Sequence, residues 1–350
     1  AVFSGNAVSS CSAIPLYIAS SPHSTFVGNT FKDCNDVIFE PTSSSPDCTF
    51  TGNTVENQTG AEVLYISGSH TTVTGNTFNN CYGAVYFSGD GSVFTGNTLI
   101  ARANTGFWGV DIDAEKTMIS DNYIEGYQGP GIYVDRDYAL IHGNYVYDCS
   151  QETAGSYPGI EVRGWESIVS DNYLYSPGDS QGTGILLNWA SECLVKGNYC
   201  YNAKTNHGIE VKKSDDTEIT GNYLIENDGY GITIDASSDR TWVHGNRLLS
   251  NVTGSIQDNG VNTRIEHNYG YATESNGTAS IADPNTSIAV NHNLDYTPTL
   301  NDISVTPTNN LGDAAKFWIS NPTVAQFTIN IDAAPGVGNT ADFAWNIERI

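Results

Sequence analysis

Six consecutive segments of the chain place chemically active side chains at the same two positions. Each segment reads Gly, apolar, x, apolar, x, and in a β-strand the two x residues point to the same side. In chain order the pairs are Asp111 and Asp113, Tyr133 and Asp135, Glu161 and Arg163, Leu186 and Asn188, Glu210 and Lys212, and Thr233 and Asp235. The two preceding segments carry uncharged pairs, Tyr65 with Ser67 and Tyr86 with Ser88. Charge therefore begins abruptly at Asp111.

Carboxylates, cations and tyrosines on one face are the side chains that glycan processing requires. Carboxylates act as acid and base on a glycosidic bond, cations hold acidic sugars, and aromatic rings stack on pyranose faces. In a glycoside hydrolase, Asp113 with Asp135 or Asp111 with Asp113 would be the carboxylate pair. In a polysaccharide lyase, Arg163, Lys212 or Lys213 would neutralise a uronate or remove its proton.

These two chemistries define the candidate residues. The catalytic candidates are Asp113, Asp135, Arg163 and Lys212. The substrate-binding candidates are Tyr133, Glu161, Asn188, Glu210 and Asp235. Because calcium prefers hard oxygen ligands, Asp111, Asp113 and Glu161 are the candidate ligands for a Ca²⁺ cofactor.

A structural interpretation of the same face stays open. Asp135 with Arg163, and Glu210 with Lys212, would then be stabilising ion pairs on a solvated surface. Against it, the charges coincide with extra residues around 102–107, 151–158 and 177–183, which predict loops that wall a groove.

The strands that carry these pairs belong to a repeat that runs through most of the chain. Its unit is apolar, polar, Gly, Asn, polar or aromatic, apolar, as in residues 219–224. The Asn of each copy recurs at intervals of 21 to 28 residues, at Asn6, Asn29, Asn53, Asn76, Asn97, Asn122, Asn144, Asn172, Asn198, Asn222, Asn246, Asn268 and, more weakly, Asn293. Apolar residues stand three positions before nearly every Asn and two after it, which predicts buried, stacked columns. The Gly before the Asn favours a left-handed corner.

Short strands and corners at this period are typical of a solenoid. The chain resembles the right-handed parallel β-helix family, the pectate-lyase-like superfamily of polysaccharide lyases, glycosidases and tailspike-like proteins. The resemblance implies an all-β fold of about 13 stacked coils, with the Asn side chains laddered inside a turn. It covers residues 1–296, and we predict a small C-terminal β-domain over 297–350 with strands at 317–320, 327–331 and 343–347.

Composition restricts the partners. The chain of 350 residues has 39 acidic and 14 basic residues, a formal net charge of -25. Nucleic acid is excluded as a partner because phosphate binding needs a basic face. No apolar run is long enough to span a bilayer.

The sequence therefore predicts an extracellular protein, secreted or on the surface of a particle or cell, that binds and processes a polysaccharide. The alternative is a recognition rod without catalysis, similar to a tailspike, a tail fibre or an adhesin. Because the chain starts inside a coil, a homo-oligomer such as a trimer, or a covering chain, is expected at the first coil.

One further column is aromatic. The residue after the repeat Asn is Tyr in Tyr123, Tyr145, Tyr173, Tyr199, Tyr223 and Tyr269. These rings either stack on one another or present a strip on which sugars stack.

Overall fold

The repeat folds into a parallel β-helix. The computed structural model describes residues 1–60, 62–102, 108–150, 157–176, 182–204 and 206–349. The described residues are all-β, with no helix, and hence with none that could cross a membrane. They divide into a first unit, residues 1–263, and a second unit, residues 264–350.

Three parallel sheets run through the first unit, and each contributes one short strand per coil. Each strand is hydrogen-bonded to the equivalent strand of the next coil. In this register Phe3 stands beside Phe26, and Asp111 stands beside Tyr133. Sheet 1 contains Val2–Ser4, Thr25–Val27, Thr49–Thr51, Thr72–Thr74, Val93–Thr95, Met118–Ser120, Leu140–His142, Ile168–Ser170, Leu194–Lys196, Glu218–Thr220 and Trp242–His244. Sheet 2 contains Ala7–Ser9, Thr30–Lys32, Thr54–Glu56, Thr77–Cys81, Thr98–Ala101, Tyr123–Glu125, Tyr145–Tyr147, Tyr173–Tyr175, Tyr199–Tyr201, Tyr223–Ile225 and Arg247–Leu249. Sheet 3 contains Leu16–Ile18, Phe39–Pro41, Glu62–Ile66, Ala84–Phe87, Val110–Ile112, Ile132–Val134, Ile160–Val162, Ile185–Asn188, Ile209–Lys212, Tyr230–Ile234 and Gly254–Asp258.

The corner between sheets 1 and 2 is built as the repeat predicts. Gly28 and Gly52 precede their Asn with φ of 64° and 61°, and Asp121 and Asp171 do so with 57° and 56°. Each Asn side chain, from the exposed Asn6 through the buried Asn29 to Asn222, then donates to the Oδ1 of the Asn one coil on, the last acceptor being Asn246. This asparagine ladder satisfies the polar groups that the turn would otherwise bury without partners.

The interior of the first unit is a stack of apolar columns. Phe26, Phe50 and Ile119, each three positions before an Asn, are buried. Phe39 and Phe50 stack with ring centroids 5.0 Å apart. Burying each such side chain contributes about 1.5 to 3 kcal/mol, so the columns fix the register of every coil. A strand displaced by one residue would turn its apolar residues outward.

The coil count is lower than predicted. Each sheet has eleven strands within residues 1–263, whereas the sequence predicts about thirteen coils. The copies at Asn268 and Asn293 both fall in the second unit. At the last copy Asn293 itself adopts the left-handed conformation, with φ of 54°, so the corner geometry of the repeat is absent there.

The second unit is antiparallel. Besides Arg264–Glu266, its strands are Glu274–Ala282, Ser287–Asn291, Ile303–Pro307, Phe317–Ser320, Gln326–Ile331 and Thr340–Glu348. They form two three-stranded sheets around a core that includes Phe327 and Phe343. The three predicted C-terminal strands are confirmed. The predicted domain boundary at 296 falls inside this unit, because Glu274–Ala282 and Ser287–Asn291 already pair antiparallel.

Candidate functional site

Sheet 3 brings the outward side chains of successive coils into two parallel columns. The central column, in register from strand to strand, is Tyr65, Tyr86, Asp111, Tyr133, Glu161, Leu186, Glu210 and Thr233. The edge column, two residues later on each coil, is Ser67, Ser88, Asp113, Asp135, Arg163, Asn188, Lys212 and Asp235. All the candidate residues thus lie on one face of one sheet, and we call this face the sheet-3 strip. Of the predicted loops beside it, residues 103–107, 151–156 and 177–181 lie outside the described part of the chain.

Asp111 is an acid of the sheet-3 strip with a pKa well above its ordinary value. The residue is only 9% exposed, and burial raises the pKa of its carboxyl from 3.8 to about 7, helped by the negative charges of Asp113 and Asp135. Among the described residues, none donates a hydrogen bond to this carboxyl. About half of the Asp111 carboxyls therefore hold a proton at pH 7, and the protonated form is the one that a general acid needs.

The two neighbouring aspartates differ from each other. Asp113 Oδ1 accepts a 2.6 Å hydrogen bond from Arg136 Nε, and its Oδ2 accepts one of 3.2 Å from the Tyr86 hydroxyl. Asp135 is exposed, and its carboxylate has only a long, 3.5 Å contact with the hydroxyl of Tyr133. Asp113 is thus engaged by the protein, whereas Asp135 is available to a ligand or a water molecule.

Arg163 pairs within its own strand. Its Nε lies 2.8 Å from Oε1 of the buried Glu161, and its guanidinium lies over the Tyr133 ring, 5.1 Å from the centroid. The ion pair that we predicted between Asp135 and Arg163 is therefore wrong. Glu161 is two residues from Arg163 on the same face. Because burial removes water from its carboxylate, a nearby cation stabilises the charge of Glu161 more than that of the exposed Asp135. Asn188 adds a weak 3.4 Å contact to Glu161.

Glu210 and Lys212 form the second predicted pair, which the structure confirms. Lys212 Nζ lies 2.7 Å from Glu210 Oε1, and the Thr183 hydroxyl donates to Oε2 over 3.0 Å. The imidazole of His207 lies next to this group. Its Nδ1 accepts from the Tyr230 backbone N–H over 3.0 Å, and burial lowers the pKa of His207 although Glu210 opposes the shift.

Asp235 serves the turn that follows its strand. Its carboxylate accepts hydrogen bonds from the Ser237 and Ser238 hydroxyls, both 2.8 Å, and from the Lys213 backbone N–H, 3.2 Å. Burial alone would raise the pKa of Asp235, but these hydrogen bonds lower it. With its oxygens engaged in this way, the side chain is better suited to holding the turn than to binding substrate.

The three predicted calcium ligands do not form a metal site. Tyr133 separates Asp111 from Glu161 in the central column, and Asp113 and Glu161 are already paired with Arg136 and Arg163. In the part of the chain that the structure describes, no group of three His, Cys, Asp or Glu residues could hold a metal ion. The described residues therefore do not support the calcium prediction.

The structure adds one aromatic residue, Trp108, that the sequence reasoning missed. Trp108 stacks on Tyr133 with centroids 5.5 Å apart, and Tyr65 lies 4.9 Å from Tyr86. Aromatic rings therefore occupy the coils on both sides of Asp111. One signal could have found Trp108: it precedes the Gly that opens its strand, and Thr183 and His207 occupy the same position in their coils.

The aromatic column of sheet 2 is a closed stack. The rings of Tyr145 and Tyr173 lie 4.8 Å apart at 7°, and those of Tyr173 and Tyr199 lie 4.9 Å apart at 6°. Tyr123 and Tyr223 continue the column at either end, while Tyr269 lies in the second unit. Because neighbouring rings cover each other's faces, the column offers ring edges and hydroxyls, not flat faces on which sugars stack.

The Glu161–Arg163 pair allows a stability test. Arg163→Ala leaves the Glu161 carboxylate buried without its cation, and we expect it to lower the free energy of unfolding by about 1 to 3 kcal/mol. Lys32→Ala is the matched control, because Lys32 and its partner Glu56 are both well exposed, and such pairs contribute about 0 to 1 kcal/mol. Urea unfolding of both variants measures the difference. Equal effects would show that burial does not strengthen the Arg163 pair.

Comparison with known families agrees with this geometry. The family described as "Right handed beta helix region" matches residues 108–270. The chain is a right-handed parallel β-helix. A second family, described as "Periplasmic copper-binding protein (NosD)", matches residues 4–176. No match was found among proteins of curated function.

Solved structures share this right-handed β-helix at low sequence identity. A double mutant of the periplasmic alginate epimerase AlgG is 15% identical with a TM-score of 0.53, over 71% of this chain and 69% of its own. The Dettilon tailspike protein is 13% identical with a TM-score of 0.53, over 99% and 87%. The A-module of the mannuronan C-5 epimerase AlgE4 of Azotobacter vinelandii is 12% identical with a TM-score of 0.52, over 76% and 89%. At these identities the likeness is one of fold.

Proposed function

We propose that this right-handed β-helix hydrolyses a polysaccharide on the sheet-3 strip, with Asp111 as general acid and Asp135 as general base. The observation that carries the proposal is the buried Asp111, the pKa of which burial raises to about 7, beside the exposed carboxylate of Asp135. Two carboxyl groups in such different environments are what acid and base roles require.

The spacing of the two carboxylates favours inversion. Asp135 lies one coil further on and two residues further along its strand than Asp111, so the two Cα atoms are about 8 Å apart from strand geometry alone. Inverting hydrolases hold their carboxyl groups roughly 6.5 to 9.5 Å apart, with a water molecule between the base and the sugar. Asp135 would take a proton from this water as its oxygen attacks the anomeric carbon. Asp111 would give its proton to the departing glycosidic oxygen.

Aromatic rings support the placement of sugars at this point. Tyr65 and Tyr86 lie on the two coils before Asp111, Trp108 lies on its own coil, and Tyr133 lies on the next. The two rings of each pair lie against each other, so a sugar would contact their outward edges and hydroxyls. Tyr86 and Tyr133 also direct their hydroxyls toward Asp113 and Asp135.

The lyase alternative is less well supported. A lyase needs a cation that neutralises the uronate carboxyl, and two of the three predicted cations are already paired, while the third, Lys213, lies over the Trp189 ring. Arg163 lies 2.8 Å from Glu161, and Lys212 lies 2.7 Å from Glu210. Each would have to leave a buried carboxylate to serve a substrate, which is costly.

The proteins that resemble this chain support a polysaccharide partner outside the cytoplasm. Both the NosD family and the AlgG epimerase are described as periplasmic, and two of the similar structures are alginate or mannuronan epimerases. The proposal includes three further points. The role is catalytic and not only one of binding, the protein forms an oligomer, and it is secreted instead of staying in the periplasm.

The function is tested by incubating the purified protein with a panel of neutral and uronate polysaccharides. We expect new reducing ends without absorbance near 235 nm, because hydrolysis leaves no double bond. Absorbance at that wavelength would instead identify a lyase. If neither signal develops while an array of glycans binds the protein, the chain is a recognition rod of the tailspike or adhesin kind, and the proposal is wrong.

A further inference from the structure

Two exposed tryptophans stand at the rim of the sheet-3 strip, on consecutive coils. Trp189 follows Asn188 of the edge column and is 58% exposed, and Trp165 lies two residues after Arg163 and is 52% exposed. Exposed apolar side chains that lie next to each other form a patch, and such patches mark interaction sites more often than single exposed residues do.

The two tryptophans are held in place by the fold. The Trp165 indole N–H donates a 2.9 Å hydrogen bond to the backbone carbonyl of Trp189, and the Trp165 backbone N–H donates to Asp137 Oδ1 over 2.8 Å. Trp189 adopts a left-handed backbone, with φ of 67°. Lys213 stands at the equivalent position one coil on and shares this conformation, with φ of 50°, so the same corner of the β-helix carries both side chains.

Lys213 adds a cation to this rim. Its ammonium group lies 4.4 Å from the centroid of the Trp189 ring, and its backbone N–H is fixed by Asp235. Within the described part of the chain Arg136, Arg163 and Lys212 each have a carboxylate partner, whereas no carboxylate lies within ion-pair distance of the Lys213 ammonium. Lys213 is thus the cation of this face that is available to an anionic ligand.

We propose that Trp165, Trp189 and Lys213 form a subsite for an acidic pyranose, such as a uronic acid residue. The sugar ring would stack on an exposed indole, and its carboxylate would meet the Lys213 ammonium group. The subsite lies two to four coils from Asp111, so the ligand would be a chain of sugars running along the strip. This rests on the proposed glycan-binding role of sheet 3 and names the class of its substrate.

The overall charge of the protein sets a condition on this binding. At a formal net charge of -25, long-range repulsion opposes an anionic polysaccharide at low ionic strength. Salt screens distant charges, with a Debye length of about 8 Å at physiological ionic strength, but it weakens a direct contact less. Binding should therefore be measured at that ionic strength.

The test uses the full chain with Asp111→Asn, so that ligands are not consumed. Its affinity is measured by calorimetry for hexamers of galacturonate, mannuronate and glucuronate, and for cellohexaose as the neutral probe. We expect at least one acidic hexamer to bind. Adding Trp189→Ala should weaken that binding about tenfold or more. Adding Lys213→Gln should weaken the acidic hexamer several-fold and leave cellohexaose unchanged.

Matched variants separate the subsite from general surface effects. Lys196→Gln removes an exposed lysine of sheet 1, and Trp318→Ala removes an exposed tryptophan of the second unit. Neither should change the affinity. The proposal is overturned if no acidic hexamer binds, or if the Trp189 and Lys213 variants bind like the parent. Failure of the proposed hydrolysis looks different, since wild-type protein would then bind the hexamers without releasing reducing ends.

Discussion

Asp111→Asn is expected to reduce glycan hydrolysis by at least about a hundredfold, the usual contribution of a positioned general acid. An asparagine has the same shape but cannot give a proton to the leaving oxygen. In the wild-type protein, activity should fall about tenfold per pH unit above pH 7, because the pKa of Asp111 is about 7. Reducing-end release measured between pH 5 and pH 9 checks both statements.

The same substitution should stabilise the protein at alkaline pH. Because the folded-state pKa of Asp111, about 7, lies above its ordinary value of 3.8, the folded protein binds the extra proton between these values. Its stability therefore falls as pH rises through this range, by about 2 to 4 kcal/mol. Asp111→Asn removes that loss, so its free energy of unfolding should exceed that of the wild type at pH 8 and equal it at pH 3.

Asp121→Asn is the matched control, because Asp121 is exposed at a corner of the β-helix. It should leave the activity unchanged. A simple structural role for Asp111 predicts the opposite pattern, with lower stability and retained hydrolysis. That result would remove Asp111 from the catalytic assignment, and a stable but fully active variant would do the same.

Asn144→Ala should destabilise the β-helix by roughly 3 to 6 kcal/mol. Asn144 Oδ1 accepts from the backbone N–H and the side chain of Asn122, at 3.1 and 2.9 Å. Its Nδ2 donates to Asn172 Oδ1 and to the Ile119 carbonyl, both at 2.9 Å. These groups are buried, so alanine removes one hydrogen bond each from the Asn122 backbone N–H, the Asn122 amide and the Ile119 carbonyl, with no water to replace them.

The effect should depend on position in the ladder. Asn6 makes the same kind of bond to Asn29 but is exposed, so Asn6→Ala leaves groups that water can reach and should cost less than about 1 kcal/mol. Urea unfolding of the two variants measures the difference. If Asn144→Ala proves no more costly than Asn6→Ala, the asparagine ladder does not stabilise the interior coils.

For the fold, the sequence was informative because every coil repeats the same physical requirements. These requirements are local: an apolar residue on each side of the corner, a left-handed residue such as Gly28 or Asp121, and a buried Asn. Because the coils stack, the same features recur in each coil and appear in the sequence as a regular period. The extent of the helix was overestimated because the copies at Asn268 and Asn293 share part of the pattern. Antiparallel pairing of residues 274–282 with 340–348 is long-range and left no such period.

For the candidate site, the sequence by itself determined which residues share a face, since strand alternation and register follow from the repeat. It placed Asp111, Asp135 and Arg163 on one sheet without coordinates. Only the tertiary structure decided what each side chain does there. Burial raises the pKa of Asp111, Arg163 pairs with Glu161 instead of Asp135, and Lys213 lies over the Trp189 ring. Each of these contacts depends on distances between side chains in the folded protein. Such distances are set by three-dimensional packing, because solvent exclusion and charge act through space and not along the chain.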